Sequence, residues 1–351
     1  MRIARWVVES AGSGSGAVPG SSAVPGSSSV PEPVEGFVVD DRVIPFPDGL
    51  TVADVLAGGL PLAKDLYSRS LSERSETKGH PLADVRLLAP LVPASVRDFV
   101  AFEEHVEGVS AGIEGTSFVA PEWYQAPTFY FTNPHTILGP GDVLRPPVTE
   151  RLDFELEVAV IIGGTRDVGE SNLTPEDAAS VVFGYTIMND WSARDLQGRE
   201  MKVRLGPAKG KDFGTALGPW IVTADELEPF LDADGFLAIR AEVYVNGELI
   251  GEDMVSNAGW PFPEFVAYAS RNSRVVPGDV LGSGTVGNGG CLGELWGRNG
   301  GLVPPPLREG DEVRMVVEGI GELVGTVGSA VPAPDVPPAR LRPRLRRREE
   351  R

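Results

Sequence analysis

The chain has 351 residues, enough for one large or two medium domains, and its 42% hydrophobic content is ordinary for a protein with a sizeable core. It contains no uncharged apolar run of about 18 residues and no apolar stretch of signal-peptide length near its start, so we expect neither a membrane span nor a secretory signal. The single cysteine, Cys291, excludes an internal disulfide and indicates the reducing cytoplasm. A net charge of −19 disfavours nucleic acid and anionic membranes as partners.

Residues 1–88 are predicted to form a small β-rich module that carries two polar insertions. Residues 11–36 are rich in Gly, Ser and Pro and nearly repetitive, which predicts a flexible insert, and residues 70–80 are predicted to be a solvated loop. The remaining patterns predict a strand, a hairpin and two short helices: Arg2–Val8, a turn at Asp40–Asp41, Thr51–Leu56 and Pro61–Leu71.

Residues 89–330 have a different sequence pattern, in which apolar runs alternate with turn sequences such as GPGD and VNGE. The runs predict strands over Phe154–Ile162, Ser180–Met188, Trp220–Val222, Ile239–Val245, Val280–Gly282 and Val313–Val317. Helical patterns are fewer: Val96–His105, Pro175–Ala179, Trp191–Gln197 and Pro261–Ser270. This balance predicts a mainly β, α+β architecture with antiparallel or mixed sheets and peripheral helices.

The tail over residues 331–351 is rich in Pro and Arg. This composition predicts a disordered, solvated segment, although an arm that binds anions is a second interpretation.

The most informative segment is RLDFELEVAVIIG, residues 151–163. On a strand, alternate residues share a face, so Asp153, Glu155 and Glu157 are predicted to point the same way at the entrance to an apolar core. Like charges so placed must be exposed, protonated or neutralised by a cation, and hard divalent cations prefer carboxylate oxygens. A solvated face on an edge strand remains the alternative at this point.

A second segment, FGYTIMNDWSARDLQ, runs from an apolar strand into Asn189 and Asp190. Asp190 could cap the following helix, or it could complete a metal site with Glu155 and Glu157. Downstream, LGPAKGKDFGTALGPW places Lys209 and Lys211 in a loop rich in Gly and Pro. A lysine beside an acidic metal site could stabilise a developing oxyanion.

Together these segments resemble the fumarylacetoacetate hydrolase family. Its hallmarks are a D-x-E-x-E-x-A strand, M-N-D-W-S-A-R-D-x-Q, L-G-P-x-x-G-K-x-F-G-T and a Gly-rich S-G-T turn. They correspond in order to Asp153–Ala159, Met188–Gln197, Leu205–Thr215 and Ser283–Thr285, and the resemblance covers about residues 88–328. The resemblance implies a mixed β-sandwich roll with short flanking helices, usually dimeric, which binds Mg²⁺, Mn²⁺ or Ca²⁺ and uses no nucleotide or organic cofactor.

By the same resemblance, Glu155, Glu157 and Asp190 would be the three metal ligands that the family shares. A D-F-x-x-x-x-x-H segment, within RDFVAFEEHVEGV, implies Asp98 as a fourth ligand and His105 as the general base. This places the chain nearer the fumarylacetoacetases proper than the short acylpyruvate hydrolases. The resemblance also implies that Glu294 orients the base and that Arg194, Gln197 and Lys211 stabilise the oxyanion. The implied contacts with a small diketo-acid substrate are Tyr130, Gly284 and Thr285.

The implied activity is hydrolysis of a carbon–carbon bond in a 1,3-diketo acid, in aromatic-compound or tyrosine catabolism. Two departures from the fumarylacetoacetase pattern bear on the substrate: Val100 stands where the family has tyrosine, and Glu114 where it has a carboxylate-binding arginine. Alternatives at the same metal are decarboxylation of an oxaloacetate-type acid, hydration or isomerisation, and a further alternative is an inactive homologue that binds metal. The sequence GSGTVG at 282–287 imitates a dinucleotide loop, but no βαβ unit surrounds it.

Overall fold

The computed structural model describes residues 1–8, 32–72, 79–114, 116–164 and 170–340, and the side chains of residues 112–114 are outside the description. Most of the predicted insert over 11–36, the core of the predicted loop over 70–80, and the tail beyond residue 340 therefore lie outside the described residues. No helix in the described ranges is long and apolar enough to cross a membrane.

Strands dominate the described part of the chain. In chain order they are β1 Arg2–Val8, β2 Val34–Val39, β3 Arg42–Pro45, β4 His80–Pro81, β5 Val85–Leu88, β6 Ser95–Phe99, β7 Phe129–Thr132, β8 Ile137–Leu138, β9 Val143–Leu144, β10 Leu152–Asp153, β11 Leu156–Ile162, β12 Val182–Asp190, β13 Ser192–Ala193, β14 Thr215–Thr223, β15 Arg240–Val245, β16 Glu248–Met254, β17 Asp279–Gly282, β18 Glu312–Val317 and β19 Gly321–Val327. The helices are α1 Val52–Ser72, α2 Glu103–Glu114, α3 Pro175–Ala179, α4 Arg194–Met201, α5 Ala224–Leu227, α6 Phe262–Ser270 and α7 Leu292–Asn299.

The strands form two principal sheets in the described ranges. The larger runs in the order β4-β3-β2-β1-β14-β12-β11-β17-β6-β7, with β5 on β1 and β8 on β14. The smaller runs β16-β15-β18-β19-β9, and β10 pairs with β13 alone. Most neighbours are antiparallel, but β6 runs parallel to β17. The predicted mixed β architecture with short peripheral helices is confirmed.

Strand β11 is buried on both faces, which explains its uninterrupted apolar sequence. Val158, Val160 and Ile162 belong to the core between the two sheets. Ala159 and Ile161 belong to a second core, which α1 covers on the other face. The N-terminal strands reach this second core because β1 pairs with β14 of the same sheet.

Most of the predicted elements are confirmed near the N-terminus. The strand over Arg2–Val8 and the hairpin turn at Asp40–Asp41 are as predicted, but β2 begins at Val34, inside the predicted insert. The two predicted short helices are present as one element, α1, which changes direction at Gly59.

The predicted helix over Val96–His105 is wrong. Ser95–Phe99 form a strand, and the helix begins only at Glu103. This segment forms a strand because it pairs with both β17 and β7. Val96 and Phe99 are buried there by tertiary packing that a local pattern does not reveal. Asp98 therefore lies on a strand and His105 in the first turn of a helix.

Gly59 allows α1 to pack against the end of the strand that carries the acidic motif. Its φ of 70° and ψ of −170° are accessible essentially only to glycine, and an added Cβ would lie 2.7 Å from the Cα of Gly164. The Gly164 amide in turn donates to the carbonyl of Leu56, 2.7 Å away, so the two chain segments are held together here.

We expect Gly59→Ala to lower the free energy of unfolding by about 1–3 kcal/mol, because the methyl group is strained and clashes with backbone. Gly198→Ala in α4 is the control, since no atom of the described residues lies within 4 Å of its added Cβ. It should be neutral or stabilising by up to about 1 kcal/mol. Denaturant unfolding of both variants measures the difference, and equal effects would contradict the packing described.

Candidate metal centre and active site

Along strands β6, β11 and β12, the side chains on one face of the large sheet change from apolar to acidic. The paired row Ala159–Gly282–Asp98–Tyr130 crosses β11, β17, β6 and β7. Gly282 leaves the space above β17 empty, and an added Cβ there would lie 2.5 Å from Glu157 Oε2. The missing side chain lets Asp98 and Glu157 approach each other across an intervening strand.

The structure brings the four predicted carboxylates together although they are far apart in sequence. Oxygens of Asp98, Glu155 and Asp190 all lie within 4.8 Å of one another, and the Glu157 carboxyl lies close enough to interact with all three. All four residues are buried, with exposed fractions of 4% or less. The alternative of a solvated face on an edge strand is therefore wrong.

Within the described residues, three oxygens of this cluster have no hydrogen-bond partner: Asp98 Oδ1, Glu157 Oε1 and Asp190 Oδ1. Unpartnered buried carboxylate oxygens are costly, and a divalent cation would satisfy them. An all-oxygen donor set of this kind suits Mg²⁺, Mn²⁺ or Ca²⁺. The residues present thus fit the predicted metal, while their role as ligands stays a prediction.

The cluster is electrostatically unfavourable without a cation. Burial raises the pKa of Asp98 well above its usual range, and the charges of Asp190 and Glu155 add to the effect. Burial, followed by the charge of Asp98, raises the pKa of Glu157 in the same way. A divalent ion would favour the ionised carboxylates instead, so metal binding and proton release should be coupled.

Lys211 and Arg194 supply positive charge to Glu155. The Lys211 ammonium lies 2.5 Å from Glu155 Oε2 and 2.7 Å from Asp190 Oδ2, and Arg194 Nη2 lies 2.8 Å from Glu155 Oε1. Burial alone would raise the pKa of Glu155, but these two cations more than offset it and hold that pKa below its usual range. Arg194 Nη1 also donates to Gln197 Oε1 at 3.1 Å, so the predicted oxyanion set forms one connected group.

Asp153 does not join the other carboxylates, although the alternation pattern placed it on their face. Strand pairing breaks between β10 and β11, and Asp153 Oδ2 instead accepts from Arg194 Nε at 2.8 Å. Its oxygens also accept the backbone N–H groups of Leu292 and Gly293, at 2.8 and 2.9 Å. Asp153 thereby fixes both the guanidinium of Arg194 and the start of α7, a role that the sequence did not reveal.

The helix that follows Asp190 begins at Arg194, three residues later than predicted. Its N-cap is Ala193, so the interpretation of Asp190 as a helix cap is wrong. Asp190 ends strand β12, and its Oδ2 accepts a hydrogen bond of 2.5 Å from the Tyr130 hydroxyl. Tyr130 is therefore placed against the cluster by its own strand.

His105 and Glu294 face each other between α2 and α7. His105 Nδ1 lies 4.0 Å from Glu294 Oε2, an oxygen with no hydrogen-bond partner in the part of the chain that the structure describes, and 3.6 Å from Cys291 Sγ. Burial lowers the pKa of His105 to about 4, so the imidazole is neutral at pH 7. Burial raises the pKa of Glu294 to about 7, against the opposing effect of Arg298.

A cavity of about 250 Å³ is lined by Tyr130, Thr132, Asn133 and Lys211 among others, and Tyr130 and Lys211 both contact Asp190 of the cluster. Gly284 contacts the cluster directly, because its amide donates to Glu157 Oε2 at 3.1 Å. Thr285 is buried next to it. A larger cleft of about 460 Å³ is lined by none of the four carboxylates of the cluster, so cavity size alone does not locate the site.

The fold is a mixed β-sandwich roll that buries an acidic cluster. Beside this cluster lie His105, which is neutral at pH 7, and Glu294. Residues 94–328, more than half of the chain, match the family described as fumarylacetoacetate (FAA) hydrolase C-terminal. The chain belongs to the fumarylacetoacetate hydrolase family, as the motifs predicted.

Relatives of known activity include both hydrolases and a tautomerase. A fumarylacetoacetase from Arabidopsis thaliana is 30% identical over 312 residues, 73% of this chain and 73% of its own. Oxaloacetate tautomerase YisK from Bacillus subtilis is 31% identical over 255 residues, 71% of this chain and 75% of its own. The crystal structure of maleylpyruvate hydrolase from Sphingobium sp. SYK-6, in complex with manganese(II) ion and pyruvate, has a TM-score of 0.65 at 20% identity and covers 94% of this chain and 100% of that chain.

The contacts separate two aspartates that the sequence motif groups together. We expect Asp98→Asn to weaken Mn²⁺ binding by at least roughly tenfold, because it removes one carboxylate from the cluster. Asp153→Asn should leave Mn²⁺ affinity within about a factor of three and lower kcat by roughly a hundredfold, as Arg194 loses its anchor. Calorimetry with Mn²⁺ and steady-state kinetics measure both. Equal loss of metal affinity in the two variants would contradict the assignment.

Proposed function

We propose that this protein is a divalent-metal-dependent hydrolase that cleaves a carbon–carbon bond in a small 1,3-diketo acid. The observation that carries the proposal is the buried pair His105 and Glu294 beside the four carboxylates. Hydrolysis needs a base that takes a proton from water, and the low pKa of His105, about 4 because of burial, leaves that base neutral near pH 7.

Glu294 would set the tautomer of the base. When ionised, Glu294 can only accept, so an Nδ1–H of His105 would point at its free Oε2 and leave Nε2 unprotonated. The 4.0 Å separation exceeds a hydrogen bond, and catalytic hydrogen bonds of this kind commonly tighten when substrate binds. Nε2 is then the atom that would accept a proton from the attacking water.

Arg194, Gln197 and Lys211 would stabilise the alkoxide formed by attack on the carbonyl. Lys211 is buried, and the Arg194 side chain, only 11% exposed, is fixed by Asp153, so their donors are held in place before the reaction. One donor of this kind is typically worth about 3 kcal/mol of barrier. Tyr130, which lines the cavity of about 250 Å³, and Thr285 would contact the substrate.

Asp98, Glu155, Glu157 and Asp190 would hold the ion, with Lys211 giving up part of its contact to Glu155 and Asp190. A bound divalent cation would supply Lewis-acid polarisation of the two substrate oxygens and stabilise the departing enolate. The manganese in the maleylpyruvate hydrolase structure supports a divalent metal of this class. The choice among Mg²⁺, Mn²⁺ and Ca²⁺ stays a prediction.

The substrate is proposed as a class, fumarylacetoacetate or a related acylpyruvate. Val100 replaces the tyrosine of the fumarylacetoacetase pattern, and its carbonyl accepts from Trp123 Nε1 at 2.7 Å. Glu114, in place of the arginine, has a side chain outside the described residues. The loss of these two groups favours an acyl chain without a distal carboxylate. A homodimer and a place in aromatic catabolism stay predictions.

A second candidate function is tautomerisation or decarboxylation of an oxaloacetate-type acid. The 31% identity to the Bacillus subtilis tautomerase favours it. That chemistry needs the metal and a route for protons, but no water attacks the substrate. The two functions therefore differ in what they require of His105.

We expect His105→Ala to lower kcat for hydrolysis of acylpyruvates by roughly a hundred- to ten-thousandfold, because the general base is lost. Purified protein is assayed with acylpyruvates, fumarylacetoacetate and oxaloacetate, each with Mg²⁺, Mn²⁺ or EDTA. His135→Ala, which alters an exposed histidine, is the matched control and should retain full activity.

Hydrolysis at wild-type rate in His105→Ala would reject the water-activating role. Turnover of oxaloacetate alone, unaffected by His105→Ala, would establish the second candidate instead. Absence of turnover for every substrate together with Mn²⁺ binding would point to an inactive homologue.

The rate should also depend on pH through Glu294. Its raised pKa of about 7 means that it becomes the required acceptor only as pH rises through that value, whereas His105 is already neutral. We expect log(kcat/KM) to increase from pH 6 to pH 8. Glu294→Gln should have a lower kcat/KM that no longer changes over this pH range. A wild-type profile without an acid limb in this range would contradict the assignment.

A further inference from the structure

Cys291 is the one cysteine of the chain, and the proposed hydrolysis does not use it. It is fully buried at the N-cap of α7, where its Sγ accepts the backbone N–H of Glu294 at 3.3 Å. On its other side, Sγ lies 3.6 Å from His105 Nδ1. Ligand atoms of His105, Cys291 and Glu155 all lie within 4.8 Å of one another.

We propose that His105, Cys291 and Glu155 form a second metal site, which binds zinc beside the carboxylate centre and inhibits the enzyme. The site is distinct in chemistry from the first, because it offers imidazole nitrogen, thiolate sulfur and one carboxylate oxygen. Zinc prefers this combination, whereas Mg²⁺, Mn²⁺ and Ca²⁺ prefer all-oxygen sets.

The observed spacing matches zinc geometry. A tetrahedral ion with a Zn–N bond of about 2.0 Å and a Zn–S bond of about 2.3 Å requires N and S to be about 3.5 Å apart. His105 Nδ1 and Cys291 Sγ are 3.6 Å apart in the protein. The Glu155 oxygen, within 4.8 Å of both atoms, would have to move closer and give up part of its contact with Arg194 or Lys211. The free Glu294 Oε2, 4.0 Å from Nδ1, is a further oxygen within reach.

The surrounding charge can accommodate a second cation. Six carboxyl groups line this region: Asp98, Asp153, Glu155, Glu157, Asp190 and Glu294. The positive side chains in contact with them, within the described residues, are Lys211, Arg194 and Arg298. On binding, the Cys291 thiol would release its proton to solvent as the Zn–S bond forms.

Binding at this site would remove the general base. A neutral imidazole has one unprotonated nitrogen, so zinc on Nδ1 leaves the proton on Nε2, which can then no longer accept one from water. This inhibitory consequence rests on the proposed hydrolase function, whereas zinc binding itself does not. The two parts therefore need separate measurements.

Cobalt(II) is the spectroscopic probe for binding, because its thiolate complexes have a charge-transfer band in the near ultraviolet. The chain is titrated with Co²⁺ in saturating Mg²⁺. We expect the band in the wild-type protein, and the lone cysteine assigns it without a variant. Cys291→Ser, which keeps a hydrogen-bond acceptor for Glu294 N–H, should lose the band, whereas Asp98→Asn should keep it. The proposal is overturned if wild-type protein shows no band.

Inhibition is measured as the Zn²⁺ concentration that halves Mg²⁺-supported turnover. We expect this concentration to rise at least tenfold in Cys291→Ser. Loss of a residue that only supports a metal ligand lowers metal affinity about tenfold or more, and loss of a direct ligand should lower it at least as much. Thermal unfolding checks that the variant folds, and Cys291→Ala serves as a second variant. Unchanged Zn²⁺ sensitivity would overturn the inhibitory role even if the cobalt band is present. A band in an enzyme without hydrolase activity would support the site and reject the proposed function.

Discussion

The burial of several carboxylates at one point is the constraint on which the rest of this structure depends. Ionised carboxylates cannot stay together inside a protein unless positive charge or protons offset their repulsion. Lys211 and Arg194 neutralise part of that charge through Glu155 and Asp190. The unpartnered oxygen of Asp98 and its raised pKa show that the neutralisation is incomplete, which is the property expected of a site built for a cation.

The fold meets this constraint with rigid elements. Three strands of one sheet carry acidic side chains at the point where their shared apolar face ends, and Gly282 leaves the space that those side chains occupy. Helices α2 and α7 lie beside them and bring His105 and Glu294 together. Asp153 joins these parts, because it binds both Arg194 and the first amides of α7. Positioning by strands and by buried ion pairs gives the site a fixed geometry.

Sequence patterns predicted the elements whose pattern and packing agree. The buried strand around Val158, the hairpin at Asp40–Asp41 and helix α6 all have periodicities that tertiary contacts reinforce. The pattern failed in the predicted helix over Val96–His105, where a short strand beside β17 looks helical in isolation. At Asp190 the pattern left a helix cap open as one of two interpretations, and the cap is wrong because the helix begins at Arg194. In both places the deciding contacts are with residues far away in the chain.

The sequence by itself determined the family, the donor types and the balance of strands over helices, because these depend on residue order and local periodicity. Only the tertiary structure decided which side chains meet. It separated Asp153 from the other acidic residues of its motif, brought Asp98 to Glu157 across a glycine, and placed Cys291 against His105. The physical reason is that strand register and helix docking set these distances. Both arise from burial of apolar surface throughout the molecule, which no local segment encodes.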